Sequence, residues 1–173
     1  AISGSDQDFT KGSLKKAIFL LSIPMVLEMI MESIFAVVDI KFVSELGADA
    51  VATVGITESL ITIIYAISVG LSMATTALVS RRIGEKKNRD ASIAAFQAIL
   101  LGILFSSIIA IPGVIFSKQI LELMGASTEI VENMSGYATI MLGGNGIIML
   151  LFIINAIFRS SGDAAISMRV LWL

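Results

Sequence analysis

The sequence predicts an all-α, polytopic bundle of transmembrane helices, with four complete helices and the start of a fifth. Of the 173 residues, 56% are hydrophobic, and the mean hydropathy is +0.93. Only 15% are charged, whereas soluble domains have about 25%. Three stretches contain no charged residue, at 59–80, 91–117 and 133–158, and each is long enough to cross about 30 Å of hydrocarbon. Most of the helix surface is therefore expected to face lipid.

The elements follow in order along the chain. Residues 1–13 are polar and are predicted to form a cytoplasmic leader, and residues 14–173 form the bundle. We expect the chain to be a piece of a longer protein, because it starts without methionine and ends within a hydrophobic run. A short interfacial helix is expected at 118–124. The predicted transmembrane helices lie at about 14–43, 50–83, 90–116, 127–159 and 164–173, the last of them truncated.

Basic residues predict the orientation of the bundle. Lys11, Lys15 and Lys16 precede or open helix 1, residues 81–90 contain five Lys or Arg, and Arg159 follows helix 4. The loops after helices 1 and 3 are acidic or nearly neutral. Because cytoplasmic loops carry the excess of Lys and Arg, we expect a multi-pass protein of the cell membrane with a cytoplasmic N-terminus.

Helices 3 and 4 carry small residues that favour close packing. In helix 4, residues 143–146 read Gly-Gly-Asn-Gly, which predicts a bend or a close helix contact. Asn145 within it is expected to make an interhelical hydrogen bond. Helix 3 has a small residue at every fourth position, which lets neighbouring backbones approach closely: Ala94, Ala98, Gly102, Ser106 and Ala110.

Helix 1 is unusual because it carries three carboxylates in a membrane span. At about 100° per residue, Pro24, Glu28, Glu32, Phe35 and Asp39 fall within about 80° of one another. A charge at the centre of a membrane helix costs roughly 2.5–3.5 kcal/mol on insertion scales. We therefore expect the acidic stripe, which consists of Glu28, Glu32 and Asp39, to have a functional role.

Helix 2 carries a polar stripe that includes Glu58, Thr62 and Tyr65. Counted at 1.5 Å per residue from the turn at 46–47, Glu58 lies about 17 Å deep and Glu32 about 22 Å deep. The two carboxylates could therefore face each other near the midplane. Polar residues in membrane spans generally face a bundle interior or a water-filled cavity, so the two stripes are predicted to be cavity walls.

The carboxylates alone fit two kinds of ion chemistry. One of them could hold a proton, because burial and like-charge neighbours favour the neutral form; or they could bind Na⁺, with Asp39 as one option for its ligand. Asn155 is a candidate residue of the cavity or ion site. The acidic cavity would also attract a small organic cation, and Phe35 could add a cation–π contact, with ordinary packing as its other possible role. No cofactor is expected apart from this H⁺ or Na⁺.

Several short motifs resemble one family, the multidrug and toxic compound extrusion (MATE) transporters. Pro24 and Asp39 in helix 1, followed by Leu-Gly at 46–47 and Val-Gly at 54–55, resemble the family's opening. Residues 70–74 and 81–85 are similar to its second helix and cytoplasmic loop, and 158–163 to its link between helices 4 and 5. The resemblance extends over nearly the whole chain through the order and spacing of these motifs.

The resemblance implies a twelve-helix exporter with two six-helix lobes, which exchanges H⁺ or Na⁺ for organic cations by alternating access. This chain would supply part of the N-terminal lobe and would need the remaining helices as partners. Asp39 matches the family's ion-linked aspartate, and Pro24 matches the proline at which helix 1 can bend. Glu28 and Glu32 have no counterpart in that pattern, so their roles depend on the acidic stripe alone.

Other functions are less well supported by the residues. A flippase for lipid-linked saccharides, from the same superfamily, should favour cationic side chains for phosphate, and the acidic stripe opposes it. An enzyme would need a nucleophile–base pair or a metal site, and the chain has no His and no Cys. No basic, aromatic-interleaved segment supports a nucleic-acid partner. A structural bundle without transport activity would leave the three carboxylates unexplained.

Overall fold

A computed structural model describes residues 13–163, 165, 166 and 169. Six α-helices follow one another, and these residues contain no β-strand. Four spans are long and apolar enough to cross a membrane: α1, α2, α3, and α5 together with α6. The predicted all-α transmembrane bundle is thus confirmed. The helices are α1 Leu14–Ser44, α2 Ala48–Gly84, α3 Asn88–Ile115, α4 Ser117–Leu123, α5 Thr128–Gly143 and α6 Asn145–Ser160.

Two regions of the sequence prediction can be compared only in part with this structure. Residues 1–12 of the leader lie outside the described residues, as do most residues of the fifth predicted helix at 164–173. The short helix α4 occupies the place where an interfacial helix is expected, between the third and fourth spans.

The fourth span, expected as a helix at about 127–159 with a bend or a close helix contact at 143–146, is interrupted at that place. It consists of α5 and α6, which meet at Gly143 and Gly144. A Cβ atom on Gly143 would lie 2.8 Å from Cγ2 of Val114 on α3, so the missing side chain permits close approach there. The interruption therefore lies where the fourth span presses against α3.

The predicted hydrogen bond of Asn145 is confirmed at this interruption. Asn145 is fully buried at the start of α6 and donates from Nδ2 to the backbone oxygen of Ser106 on α3 at 3.4 Å. The expected packing role of the small residues on α3 is also seen, because Ala94, Gly102 and Ser106 are buried.

The apolar core lies between α2, α3, α5 and α6, and α1 stands at its side. Ile61 and Ile64 from α2 pack with Leu142, Met149 and Ile153 from the fourth span. In α1, by contrast, only two side chains are buried among the described residues, Pro24 and Glu28. The acidic stripe therefore runs along the helix that has the fewest buried residues among the four spans.

Replacing Gly113 by Ala should destabilise the bundle by about 1–3 kcal/mol, the usual cost of overpacking. The new Cβ atom would lie 2.7 Å from Cβ of Leu142, which cannot swing away like the end of a long side chain. A thermal unfolding series on the full-length protein in detergent, followed by size-exclusion chromatography, measures the effect. Gly136→Ala is the control, because its Cβ would meet nothing within 4 Å. Equal melting temperatures for the two variants would contradict the packing described here.

Candidate functional site

Glu28 is the one carboxylate of the acidic stripe that the chain itself buries. Its exposed fraction is 6%, and Asn155 on α6 donates a hydrogen bond from Nδ2 to Oε1 of Glu28 at 3.2 Å. In the described part of the chain, no other side-chain hydrogen bond joins α1 to another helix. The two residues, predicted separately, thus form the polar junction between the first and fourth spans.

A groove of about 230 Å³ opens beside this junction. Its polar lining consists of two carboxylates, one amide and one guanidinium group, those of Glu28, Glu32, Asn155 and Arg159. The Arg159 charge acts on Glu28, but the two side chains form no salt bridge. With both carboxylates ionised the formal charge of the lining is −1, so the groove favours a cation. Its apolar lining comes from Met25, Met29, Leu151 and Phe152.

Pro24 lies one turn before Glu28 and is buried at the same contact. The helix continues through it without interruption from Leu14 to Ser44. Proline has no N–H to donate and its ring crowds the preceding turn, so this point of α1 is weaker than its neighbours. Bending at Pro24 remains a prediction, since α1 is one continuous helix in this structure.

Two tyrosines, Tyr65 and Tyr137, are influenced by the charges of both polar stripes. Charges on Glu32 and Glu58 both act on the hydroxyl of Tyr65, and charges on Glu58 and Asp39 both act on the hydroxyl of Tyr137. Each of these tyrosines therefore lies within electrostatic range of carboxylates from both stripes. The arrangement of the two stripes as cavity walls stays a prediction.

An aromatic contact connects Tyr65 to the groove beside Glu28. The rings of Tyr65 and Phe152 meet edge to face, with centroids 5.8 Å apart and planes at 65°. Phe152 also lines the groove beside Glu28. Polar groups thus extend from Asn155 to Asp39 along one side of α1.

Two predicted lining residues make no contact that supports a specific role. The hydroxyl of Thr62 donates to the backbone oxygen of Glu58 at 2.9 Å, within its own helix. The Phe35 side chain is 52% exposed. Their roles as cavity lining and cation–π partner remain predictions.

The Na⁺ site predicted at Asp39 stays a prediction. Asp39 is exposed, and no three Asp or Glu residues in the described part of the chain lie close enough together to hold a metal ion. Hydroxyl, amide and backbone oxygens are also ligands for hard cations, so the choice between Na⁺ and H⁺ stays a prediction as well.

Sequence reasoning missed three residues of this region. Arg159 was assigned only to the cytoplasmic loop, although its position one turn after Asn155 places both on one face of a helix. Tyr137 and Phe152 lie in a charge-free span in which no pattern distinguishes them from packing residues. Only the Arg159 spacing gave a usable signal.

Comparison with known proteins supports the motif resemblance. The MatE family model matches residues 24–173. A probable multidrug resistance protein of Bacillus subtilis, YoeA, is 24% identical over 159 residues, which cover 91% of this chain and 34% of that protein. A protein of Shewanella oneidensis named FAD transporter is 27% identical over 129 residues, which cover 75% of this chain and 28% of that protein.

A solved structure agrees with the fold. It is described as the outward-facing conformation of a multidrug resistance MATE family transporter of the MOP superfamily. It has a TM-score of 0.86 and 32% identity, and the match covers 94% of this chain and 36% of that chain. The chain thus spans about a third of the length of these proteins. Because the family model matches nearly the whole sequence, this chain belongs to the MatE family, the multidrug and toxic compound extrusion transporters.

Proposed function

We propose that the full-length protein containing this chain exports small organic cations in exchange for H⁺ or Na⁺. The observation that carries this proposal is the groove between α1 and α6, where two carboxylates and one guanidinium group form the charged lining, with a formal charge of −1 when both carboxylates are ionised. In a membrane, where solvation is poor, such a lining attracts a cation and is itself stabilised by it. MATE family proteins are transporters, so the proposal concerns what is moved and which ion drives it.

The coupling is proposed to arise from competition for the same carboxylates. An organic cation in the groove and H⁺ or Na⁺ on the acidic stripe both neutralise negative charge on α1. Binding of one therefore lowers the affinity for the other, which gives exchange without a long-range pathway. Protonation or ion binding at Asp39 would also change the relative energies of a straight and a bent α1, with Pro24 as the hinge.

The membrane arrangement proposed here follows from the basic residues. The loop at 81–90 and Arg159 would lie in the cytoplasm, together with the N-terminus, in a protein of the cell membrane. The remaining helices of the full-length transporter would complete the cavity and cover the exposed part of the acidic stripe. No enzymatic role is proposed.

An anionic substrate is the second candidate, because Arg159 lines the groove and one relative is named FAD transporter. A flippase for lipid-linked saccharides would likewise need to hold phosphate. Glu28 and Glu32 stand in the same lining and would repel such a substrate. The cation proposal is therefore preferred, and substrate charge is the property to test.

Reconstitution of the full-length protein into liposomes tests the proposal directly. Ethidium serves as the organic cation and calcein as the anionic control, and a pH gradient and a Na⁺ gradient are imposed separately. We expect one of the two gradients to drive ethidium movement while calcein stays in place. Gradient-driven calcein movement, or ethidium movement that neither gradient accelerates, would overturn the proposal. Protein-free liposomes give the leakage rate.

A further inference from the structure

The loop between α2 and α3 carries the densest positive charge in the chain. Residues 81–90 contain five Lys or Arg and two acidic residues, a net formal charge of +3. The loop is short, and α3 begins again at Asn88. The cations are therefore concentrated at one end of the α2–α3 pair. None of them takes part in the cavity described above.

Glu85 organises these cations into a fixed cluster. Its carboxylate accepts from Arg81 at 3.0 Å and Arg82 at 3.1 Å, and Lys87 lies 3.1 Å from it. The Arg81 hydrogen bond, followed by those of Lys87 and Arg82, lowers the pKa of Glu85 to about 2. Glu85 therefore stays anionic at physiological pH. One carboxylate cannot neutralise three cations, so the cluster keeps positive charge for an external partner.

A groove of about 200 Å³ descends from this cluster along the surface of α2 and α3. Arg82 lines it near the loop, Leu78 and Ile93 line it further into the span, and Gln97 lies further still along α3. Leu78 and Ile93 are 44% and 47% exposed. The groove thus has the guanidinium of Arg82 near the loop and the apolar side chains of Leu78 and Ile93 further into the span. The uncharged amide of Gln97 lies beyond them.

We propose that this groove binds one anionic phospholipid, with its phosphate at Arg82 and one acyl chain along Leu78 and Ile93. Basic pockets between membrane helices are a recognised way of holding anionic head groups. Asp90 also lines the groove and opposes an anion, but the surrounding loop remains net positive. A zwitterionic lipid would gain less, since its own cation offsets the attraction.

Quenching of a tryptophan by brominated lipids tests this site in the full-length protein. Phe96→Trp places the reporter one turn from Ile93, at a position that is 61% exposed. Dibrominated phosphatidylglycerol and phosphatidylcholine compete for the site, and quenching gives their relative binding constants. The same titration on protein without the Phe96→Trp change provides the background. We expect phosphatidylglycerol to be preferred about fivefold, as for one basic residue near a membrane surface.

Three further substitutions locate the charge responsible. Arg82→Gln should bring the preference close to unity, whereas Gln97→Leu, which leaves all charges in place, should not change it. Glu85→Gln should raise it, because it frees Arg82 from its present partner. Lys118→Gln, on α4 just beyond the other end of α3, is the matched control and should change nothing. Retained quenching by phosphatidylcholine shows that each variant is folded with its surface exposed to lipid.

Three results would overturn the lipid site. Equal binding constants for the two lipids would remove the charge preference. An unchanged preference in Arg82→Gln would assign it to the loop as a whole rather than to this groove. Absence of quenching by either lipid would show that protein covers the groove. Inorganic phosphate at the same concentration should not displace the lipid, since it has no acyl chain for Leu78 and Ile93.

Discussion

Asp39→Asn should lower ion-driven export of an organic cation by at least about a hundredfold, because an amide neither carries charge nor exchanges a proton near neutral pH. A unit charge 4 Å from a cation contributes roughly 4 kcal/mol at an effective dielectric constant of 20, and that attraction is lost. The measurement is ethidium efflux from liposomes that contain the full-length protein, driven by the gradient that drives the unmodified protein.

The matched control for Asp39 is Glu45→Gln, just beyond the end of α1. Glu45 is exposed and lies outside the helix, so its loss should leave efflux unchanged. If Asp39→Asn supports efflux at the unmodified rate, Asp39 does not couple the ion to transport. The acidic stripe would then have to act through Glu28 and Glu32 alone.

Glu28→Leu should reduce both stability and transport, whereas Glu28→Gln should reduce transport only. Leucine leaves the half-buried amide of Asn155 without its acceptor, and an unsatisfied polar group costs at most about 1–3 kcal/mol, the value for a buried one. Glutamine keeps an oxygen for the 3.2 Å hydrogen bond but removes the negative charge. Thermal unfolding and ethidium efflux, measured on the same preparations, separate the structural role of Glu28 from its charge.

Arg159→Gln tests whether the groove works through its charge balance. Without the guanidinium the lining changes from −1 to −2 when both carboxylates are ionised, so the organic cation should bind more tightly and leave more slowly. We expect a lower half-saturating ethidium concentration together with a lower maximal rate. In the Glu28→Gln background the same change should have a smaller effect, because the charge on which Arg159 acts is gone. Equal effects in both backgrounds would show that the two residues act independently.

The sequence predicts best those features that a single helix determines by itself. The apolar spans and the small residues of α3 depend on length, hydropathy and spacing, so they could be predicted without knowledge of neighbours. The break of the fourth span was foreseen only as a bend at 143–146. Its actual form depends on Val114 of another helix, and no pattern within residues 127–159 contains that information.

The candidate site likewise depends on contacts between helices that the sequence pattern does not show. The stripe on α1 placed Glu28, Glu32 and Asp39 on one face, but it could not rank them. Glu28 had the weakest argument from sequence, yet it is the one carboxylate of the stripe that is buried and that Asn155 contacts. The ranking depends on how two helices far apart in sequence pack together, which helical periodicity does not encode.

The length of α1 beyond its buried residues determines how far Asp39 moves when the helix tilts. Its buried residues lie at Pro24 and Glu28, whereas Asp39 lies about 22 Å further along the axis. A swing of about 10° about Pro24 would displace Asp39 by about 4 Å, more than a hydrogen bond or an ion–ligand bond can stretch. In the proposed mechanism, a small tilt of α1 where the substrate meets Glu28 would therefore produce a larger displacement at Asp39. The size of that displacement is set by the number of residues between Pro24 and Asp39.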